Sequence, residues 1–165
     1  MKEDMLNILI VEDDEAHGEL ISRSLMDKDG NFITKIVPTI EQARSEINIF
    51  KPHVLITDWR LPDGEGIEIL KVSGKMDFPV IIMTSYGNET LAVEAIKAGA
   101  IDYVVKSSDT LSDMYRIVTR VLREWENIVR RRMAEEALKE SESLYRTTIE
   151  AIKDFVHVVD LDLRL

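Results

Sequence analysis

The chain has 165 residues, 45% hydrophobic and 32% charged, with 7 glycines and 4 prolines; collagen-like, low-complexity and wholly disordered chains are excluded, and the length suggests roughly one domain. It contains no cysteine, so disulfides, Cys-based zinc sites and thiol catalysis are excluded, and any metal must be held by oxygen or histidine. The net charge of −10 opposes phosphate neutralisation, so direct binding to nucleic acid is not expected.

No apolar run approaches the roughly 20 residues of a membrane span, and the start Met1-Lys2-Glu3-Asp4 has the wrong charge for a signal peptide. A cytoplasmic protein without a membrane partner is expected. In chain order, short apolar runs rich in β-branched residues at 6–11, 32–37, 54–57, 80–83 and 103–105 predict five strands. Between them, Ile40, Ala43, Ile47 and Phe50, then Leu91, Ala92, Ala95 and Ile96, recur at the spacing of one buried helical face. Thr39 with Gln42 fits a capping box, Asn88 an N-cap, and Gly30 and Gly99 helix stops. Strand–helix alternation with nearly continuous apolar strands predicts an α/β (βα)5 fold, a five-stranded parallel sheet covered by helices on both faces in three layers.

In such sheets ligands bind outside the carboxyl ends of the strands, near the switch in strand order. Those ends carry the polar chemistry: Glu12-Asp13-Asp14 after the first strand, Asp58 after the third, Thr84-Ser85 after the fourth and Lys106 after the fifth. Each has a bland alternative. Asp14 fits a helix cap, Asp58 a surface acid, Thr84 a strand-end filler and Lys106 a solvated charge. Their convergence on one edge favours a site, because independent surface residues have no reason to meet. Crowded carboxylates repel unless a cation neutralises them, and oxygen-only ligands suit Mg²⁺. A phosphate alone would be repelled, and no GxxxxGK[ST] loop occurs. Ser73-Gly74-Lys75 reads as a helix-ending loop. A carboxylate beside Mg²⁺ can attack a phosphoryl group to give an aspartyl phosphate, with Lys106 and a Thr84 hydrogen bond offsetting oxygen charge.

The segments Ile8-Leu9-Ile10-Val11-Glu12-Asp13-Asp14, Thr57-Asp58-Trp59-Arg60-Leu61-Pro62-Asp63-Gly64, Ile82-Met83-Thr84-Ser85 and Asp102-Tyr103-Val104-Val105-Lys106 resemble the receiver domain of two-component response regulators. The resemblance covers about residues 5–124 and implies a flavodoxin-like fold. It also implies that Asp58 accepts phosphate from a phosphohistidine on a sensor histidine kinase or phosphotransfer protein. Glu12, Asp13, Asp58 and the backbone carbonyl of Arg60 would serve Mg²⁺, Thr84 and Tyr103 would form the switch pair, and Lys106 would pair with the phosphoryl group. By the same resemblance the switched surface is that of the fourth and fifth helices, a surface on which two copies can also pair. Such a chain is a phosphoacceptor in a phosphorelay and not a turnover enzyme. The alternative, a Mg²⁺-dependent phosphohydrolase with an aspartyl-phosphate intermediate, wants a second acid or base that the sequence does not offer. The family usually has proline, often with a cis bond, after the lysine; here Ser107 follows, leaving either a trans loop or a strained one.

After residue 110 the charge balance shifts from strongly acidic to nearly neutral. Leu111, Val118 and Trp125, then Met114, Val121 and Ile128, fall seven apart, so the last receiver helix is expected to run on. Past Arg130-Arg131-Arg132 the phase slips before Leu138, Tyr145 and Ile152 resume it, with Ala134, Ser141 and Thr148 as weaker partners. Residues 125–150 are read as a helical linker, either a dimeric coiled coil or a solvated helix packed on its own domain. Phe155-Val156-His157-Val158-Val159-Asp160-Leu161-Asp162 reads as a strand, and with residues 137–146 before it resembles the opening helix and first strand of a PAS sensor domain. The expected organisation is a receiver over 1–124, the linker, and the N-terminal part of a PAS output module over 151–165, a fold that needs roughly 100 residues for its core. His17, His53 and His157 lack metal-ligand spacing and are read as structural or surface residues.

Overall fold

The computed structural model describes residues 5–26, 31–72 and 76–162, with side chains described as far as residue 153 at the C-terminal end. The elements run β1 (Leu6–Val11), α1 (Glu15–Met26), β2 (Phe32–Val37), α2 (Ile40–Phe50), β3 (Val54–Asp58), β4 (Arg60–Leu61), β5 (Gly64–Glu65), α3 (Glu68–Val72), β6 (Val80–Thr84), α4 (Glu89–Ala98), β7 (Asp102–Val105), α5 (Ser108–Ser112) and α6 (Met114–Asp162). The five long strands form one parallel sheet in the order β2-β1-β3-β6-β7, which is that of the flavodoxin-like fold the resemblance implied. Its direction of growth reverses between β1 and β3, which opens the crevice at their carboxyl ends.

Alternation along the strands divides the core. Leu9, Val11, Leu55 and Ile82 pack with Ile40, Ala43, Ile69, Leu70 and Ala95 on one face. Ile8, Ile10, Ile56, Ile81 and Met83 pack with Ile21, Leu25, Leu111, Met114, Val118 and Val121 on the other. Each central strand is therefore apolar on both sides, and only its last residues, which clear the helices, can be polar without a desolvation cost.

The helix boundaries follow the predicted punctuation where they are described. Thr39 Oγ1 accepts the Gln42 N–H, Asn88 accepts from the Thr90 N–H, and Gly99 closes α4 at φ 107°, a left-handed conformation that glycine adopts without a Cβ clash. Asp14 Oδ1 accepts the His17 N–H at 3.1 Å, so this acid caps α1. Gly30 and Ser73-Gly74-Lys75 lie outside the described residues.

At the C-terminal side the structure refines one expectation, decides between two alternatives and overturns a third reading. The last receiver helix does run on, as α6 from Met114 to Asp162, but it does not start at the loop after Lys106: a separate short helix, α5, ends at Ser112 and Asp113 stands between the two. Ser107 Oγ caps α5 through the Thr110 N–H at 3.1 Å, and no cis peptide bond occurs among the described residues. The loop after Lys106 is trans, and the serine uses its hydroxyl to start a helix. Finally, the segment 155–162 read as a strand is helical, because α6 continues to Asp162. A lone strand leaves its N–H and C=O groups unpaired, whereas a helix satisfies them within the segment.

The chain divides into two compact units, one ending at Trp125 and one starting at Glu126. The first holds the sheet and every polar strand end. In the second, the described side chains, those of residues 126–153 on α6, are mostly exposed. No helix among the described residues is long and apolar enough to cross a membrane.

Candidate functional site

The polar strand ends meet. Asp58 terminates β3 and is 7% exposed, while Glu12, just past β1, is 2% exposed. Lys106 follows β7 and places Nζ 2.6 Å from Asp58 Oδ2 and 2.7 Å from Glu12 Oε2. Carboxylate oxygens of Glu12, Asp13 and Asp58 all lie within 4.8 Å of one another. Burial raises the Glu12 carboxyl above its ordinary range, with Lys106 opposing. At Lys106 burial favours the neutral amine, but hydrogen bonds from Nζ to Asp58 and Glu12 outweigh it and raise the pKa. The amine is held charged between the two acids.

One ammonium against three carboxylates leaves two negative charges in a partly buried cleft. Such a donor set, oxygen only and converging, fits a divalent hard cation, as the carboxylate repulsion demands.

Thr84, at the end of β6, is 6% exposed. Its hydroxyl donates to the Tyr86 carbonyl at 3.2 Å and accepts the Tyr86 N–H at 3.4 Å. The Tyr103 hydroxyl, from β7, donates to the same Tyr86 carbonyl at 3.2 Å. The two residues read as a switch pair thus share one acceptor. Arg60 lies on β4, two residues beyond Asp58, with its side chain exposed. Asp58, Trp59, Arg60, Thr84, Ser85, Tyr86, Asn88 and Leu91 line a cleft of about 280 Å³.

The loop after Asp58 is more ordered than its turn-rich composition suggests. Trp59 is buried, its N–H donates to the Met83 carbonyl at 2.6 Å, and its carbonyl accepts the Gly66 N–H at 2.9 Å. β4 and β5 form a two-stranded antiparallel hairpin across Pro62-Asp63. A Cβ at Gly66 would stand 2.1 Å from the Asp58 carbonyl oxygen and 2.4 Å from Thr57 Oγ1, so only glycine fits. Asp63 accepts the Ile40 and Glu41 N–H groups at 2.9 and 3.0 Å, tying this hairpin to the start of α2.

Neither role shows in the sequence: Gly66 is required by the backbone of β3 folding back on it, and Asp63 caps a helix more than 20 residues earlier in the chain. His17, read as structural or surface, sits at the edge of the acidic cluster, with Nδ1 3.9 Å from Glu12 Oε1 and 3.7 Å from Asp14 Oδ2. His53 is at the opposite edge of the sheet, where Nδ1 accepts the Asn7 N–H at 2.9 Å. The side chain of His157 lies outside the described residues.

This fold and this edge are those of a receiver. Residues 8–122 match the family model of the response regulator receiver domain, and the chain belongs to that family, the phosphoacceptor modules of two-component systems. It is 32% identical over 133 residues to the methanogenesis regulatory protein FilR1 of Methanothrix harundinacea, covering 76% of this chain and 29% of the relative. It is 29% identical over 116 residues to the acid tolerance regulatory protein ActR of Rhizobium meliloti, covering 69% and 59%. The chain thus spans less than two thirds of either relative. Among solved structures, the signal receiver domain of a Luxo repressor protein from Vibrio parahaemolyticus superposes with a TM-score of 0.67 at 28% identity, covering 76% of this chain and 97% of that one. The BeF3-activated receiver domain of RstA from Klebsiella pneumoniae gives 0.62 at 25% identity, covering 71% and 98%.

Proposed function

We propose that Asp58 is the phosphoacceptor of this receiver, and that the observation carrying this reading is Lys106 Nζ held 2.6 Å from Asp58 Oδ2 within a cluster of three carboxylates. An Asp58 carboxylate oxygen attacks the phosphorus of a phosphohistidine on a sensor histidine kinase or phosphotransfer protein. The O–P bond forms as the P–N bond breaks, and the electron pair stays on the imidazole nitrogen. Lys106 remains against the phosphoryl oxygens, where its charge offsets theirs. Glu12, Asp13, Asp58 and the backbone carbonyl of Arg60 would hold Mg²⁺, which supplies further positive charge to the transferring group.

Thr84 exchanges the Tyr86 carbonyl for a phosphoryl oxygen. That removes one of the two hydroxyls on this carbonyl and frees Tyr103 to change its position, altering the surface beside α4 and β7. Output passes to a downstream module in a cytoplasmic setting. The resemblance carried by residues 137–146 makes a PAS domain the proposed module. Pairing of two copies is proposed through the surface of the fourth and fifth receiver helices, which are α4 and the part of α6 up to Trp125, or through the linker.

The test is incubation of the protein with acetyl phosphate and Mg²⁺. One phosphoryl group per chain is expected, labile to base and hydroxylamine, dependent on Mg²⁺ and absent from Asp58→Asn. A label that persists in that variant, or that maps to Ser85, overturns the assignment; sustained turnover of the acyl phosphate would make the protein a phosphohydrolase.

A further inference from the structure

Beyond Glu126 the side chains of α6 have little to cover them within their own unit, yet the helix carries large apolar groups. Leu138 is 60% exposed, Leu144 and Tyr145 are 70%, and Ile152 is 57%. Exposed apolar residues scattered singly need no explanation; Met133, 66% exposed, and Leu144 lie off any shared repeat position, but the other three do not. Leu138, Tyr145 and Ile152 fall at one position of a seven-residue repeat, and Ala134, Ser141 and Thr148 fall four residues before each, so the six form a single a/d seam. One repeat earlier the seam would place Arg131 in its core, which sets the start of the apolar stretch.

We propose that residues 130–152 of α6 form a parallel, in-register two-stranded coiled coil with a second copy of this chain, its apolar seam beginning at Ala134. The flanking positions choose both the occupant and its direction. In a parallel in-register pair, each residue just before an a position faces the partner residue five places further on. Arg130 then faces Glu135 of the partner subunit, Ala137 faces Glu142 of the partner subunit, and Leu144 faces Ile149 of the partner subunit. One pair is oppositely charged, one is apolar, and none sets like charges together. Glu135 Oε1 accepts from Arg131 Nε of its own helix at 2.9 Å, and its carboxylate has a second oxygen for Arg130 of the partner subunit.

An antiparallel pair places equivalent edges together instead, so Glu135 and Glu142 would share a seam with the same two acids of the other copy. The parallel arrangement avoids this repulsion. Ser141 and Thr148 in the seam keep the association weak, so the dimer depends on concentration. The association does not require the phosphoacceptor reading, because no residue of the acidic site takes part.

The natural absence of cysteine makes the test clean. Ser141→Cys and Thr148→Cys, introduced singly into the full chain, should each form a disulfide-linked dimer under mild oxidation, while Ser143→Cys on the outer face should not. An antiparallel pair can bring at most one residue position opposite itself, so cross-linking at only one of the two seam positions overturns the proposal, as does equal cross-linking at Ser143→Cys. By sedimentation, Glu135→Arg should weaken association about tenfold, since each of two symmetric contacts turns repulsive. Adding Arg130→Glu to that chain should restore it. Failure of the double variant to recover, or a monomeric wild type at every concentration reached, also overturns the proposal. Asp58→Asn should dimerise as the wild type does, which keeps this result separate from that of the phosphorylation experiment.

Discussion

Asp13 is the exposed member of a cluster in which three carboxylates share one ammonium, and Lys106 is already placed against the other two. Its charge adds repulsion that binding a cation would relieve. Asp13→Asn should therefore make the metal-free protein more stable, by on the order of 0.5 kcal/mol for an exposed charge, and should at the same time weaken the response to Mg²⁺. Urea unfolding without Mg²⁺, alongside a Mg²⁺ titration, checks both; a variant less stable than wild type would contradict the repulsion. At this scale the sequence was informative because the site residues follow directly on apolar strands, and a parallel sheet allows polar side chains only at those ends. Gly66 and His17 were not legible, since the Asp58 carbonyl against Gly66 and the Glu12 carboxylate near His17 are brought there by backbone paths that local spacing does not encode.

The hairpin β4/β5 and helix α2 are joined through Asp63, whose carboxylate takes two N–H groups at a helix start that would otherwise lack intrahelical partners. Burial favours its neutral form, but the N–H groups of Ile40 and Glu41, its own N–H and the charge of Arg44 outweigh this and hold the carboxyl below its ordinary range. A carboxyl lowered on folding contributes stability above its unfolded pKa, about 3.9, and loses that contribution as pH falls through the lower folded value. Asp63→Asn should therefore cost about 0.5–1 kcal/mol between pH 5 and 7, the low end of the capping range for an exposed side chain. The difference from wild type should shrink towards zero in progressively more acidic solution. Urea midpoints across that range test it, and a constant difference would remove the charge from the explanation. Among the helices, α2 and α4 were legible because periodicity and caps agree, as at Thr39 and Asn88. The break between α5 and α6 was not, because the apolar spacing of Leu111, Met114, Val118 and Val121 continues through it; it shows only in the Asp113 backbone, which leaves helical geometry at φ −107° and ψ 15°.

All the residues of the proposed site lie in the unit that ends at Trp125. A chain cut after that residue should keep the whole Mg²⁺ response. Trp59 is buried beside Asp58, so its fluorescence should change on Mg²⁺ addition equally in the full and shortened chains, with Trp59→Phe as the control for Trp125. A shortened chain that folds but no longer responds would show that residues beyond Trp125 complete the site. Sequence alone determined the parallel α/β architecture, the five strands and the polar carboxyl edge, because strand burial on both faces writes continuous apolar runs and leaves polar chemistry only where those runs stop. Tertiary structure decided what those residues do to one another: Lys106 bridging Glu12 and Asp58, Thr84 and Tyr103 sharing the Tyr86 carbonyl, Asp63 capping a distant helix. It also decided the helical state of 155–162, for which β-branched composition had pointed to a strand. The physical reason is common to both cases: a hydrogen bond or an ion pair depends on where two chain segments meet, and a strand exists only where another strand is present to pair with it.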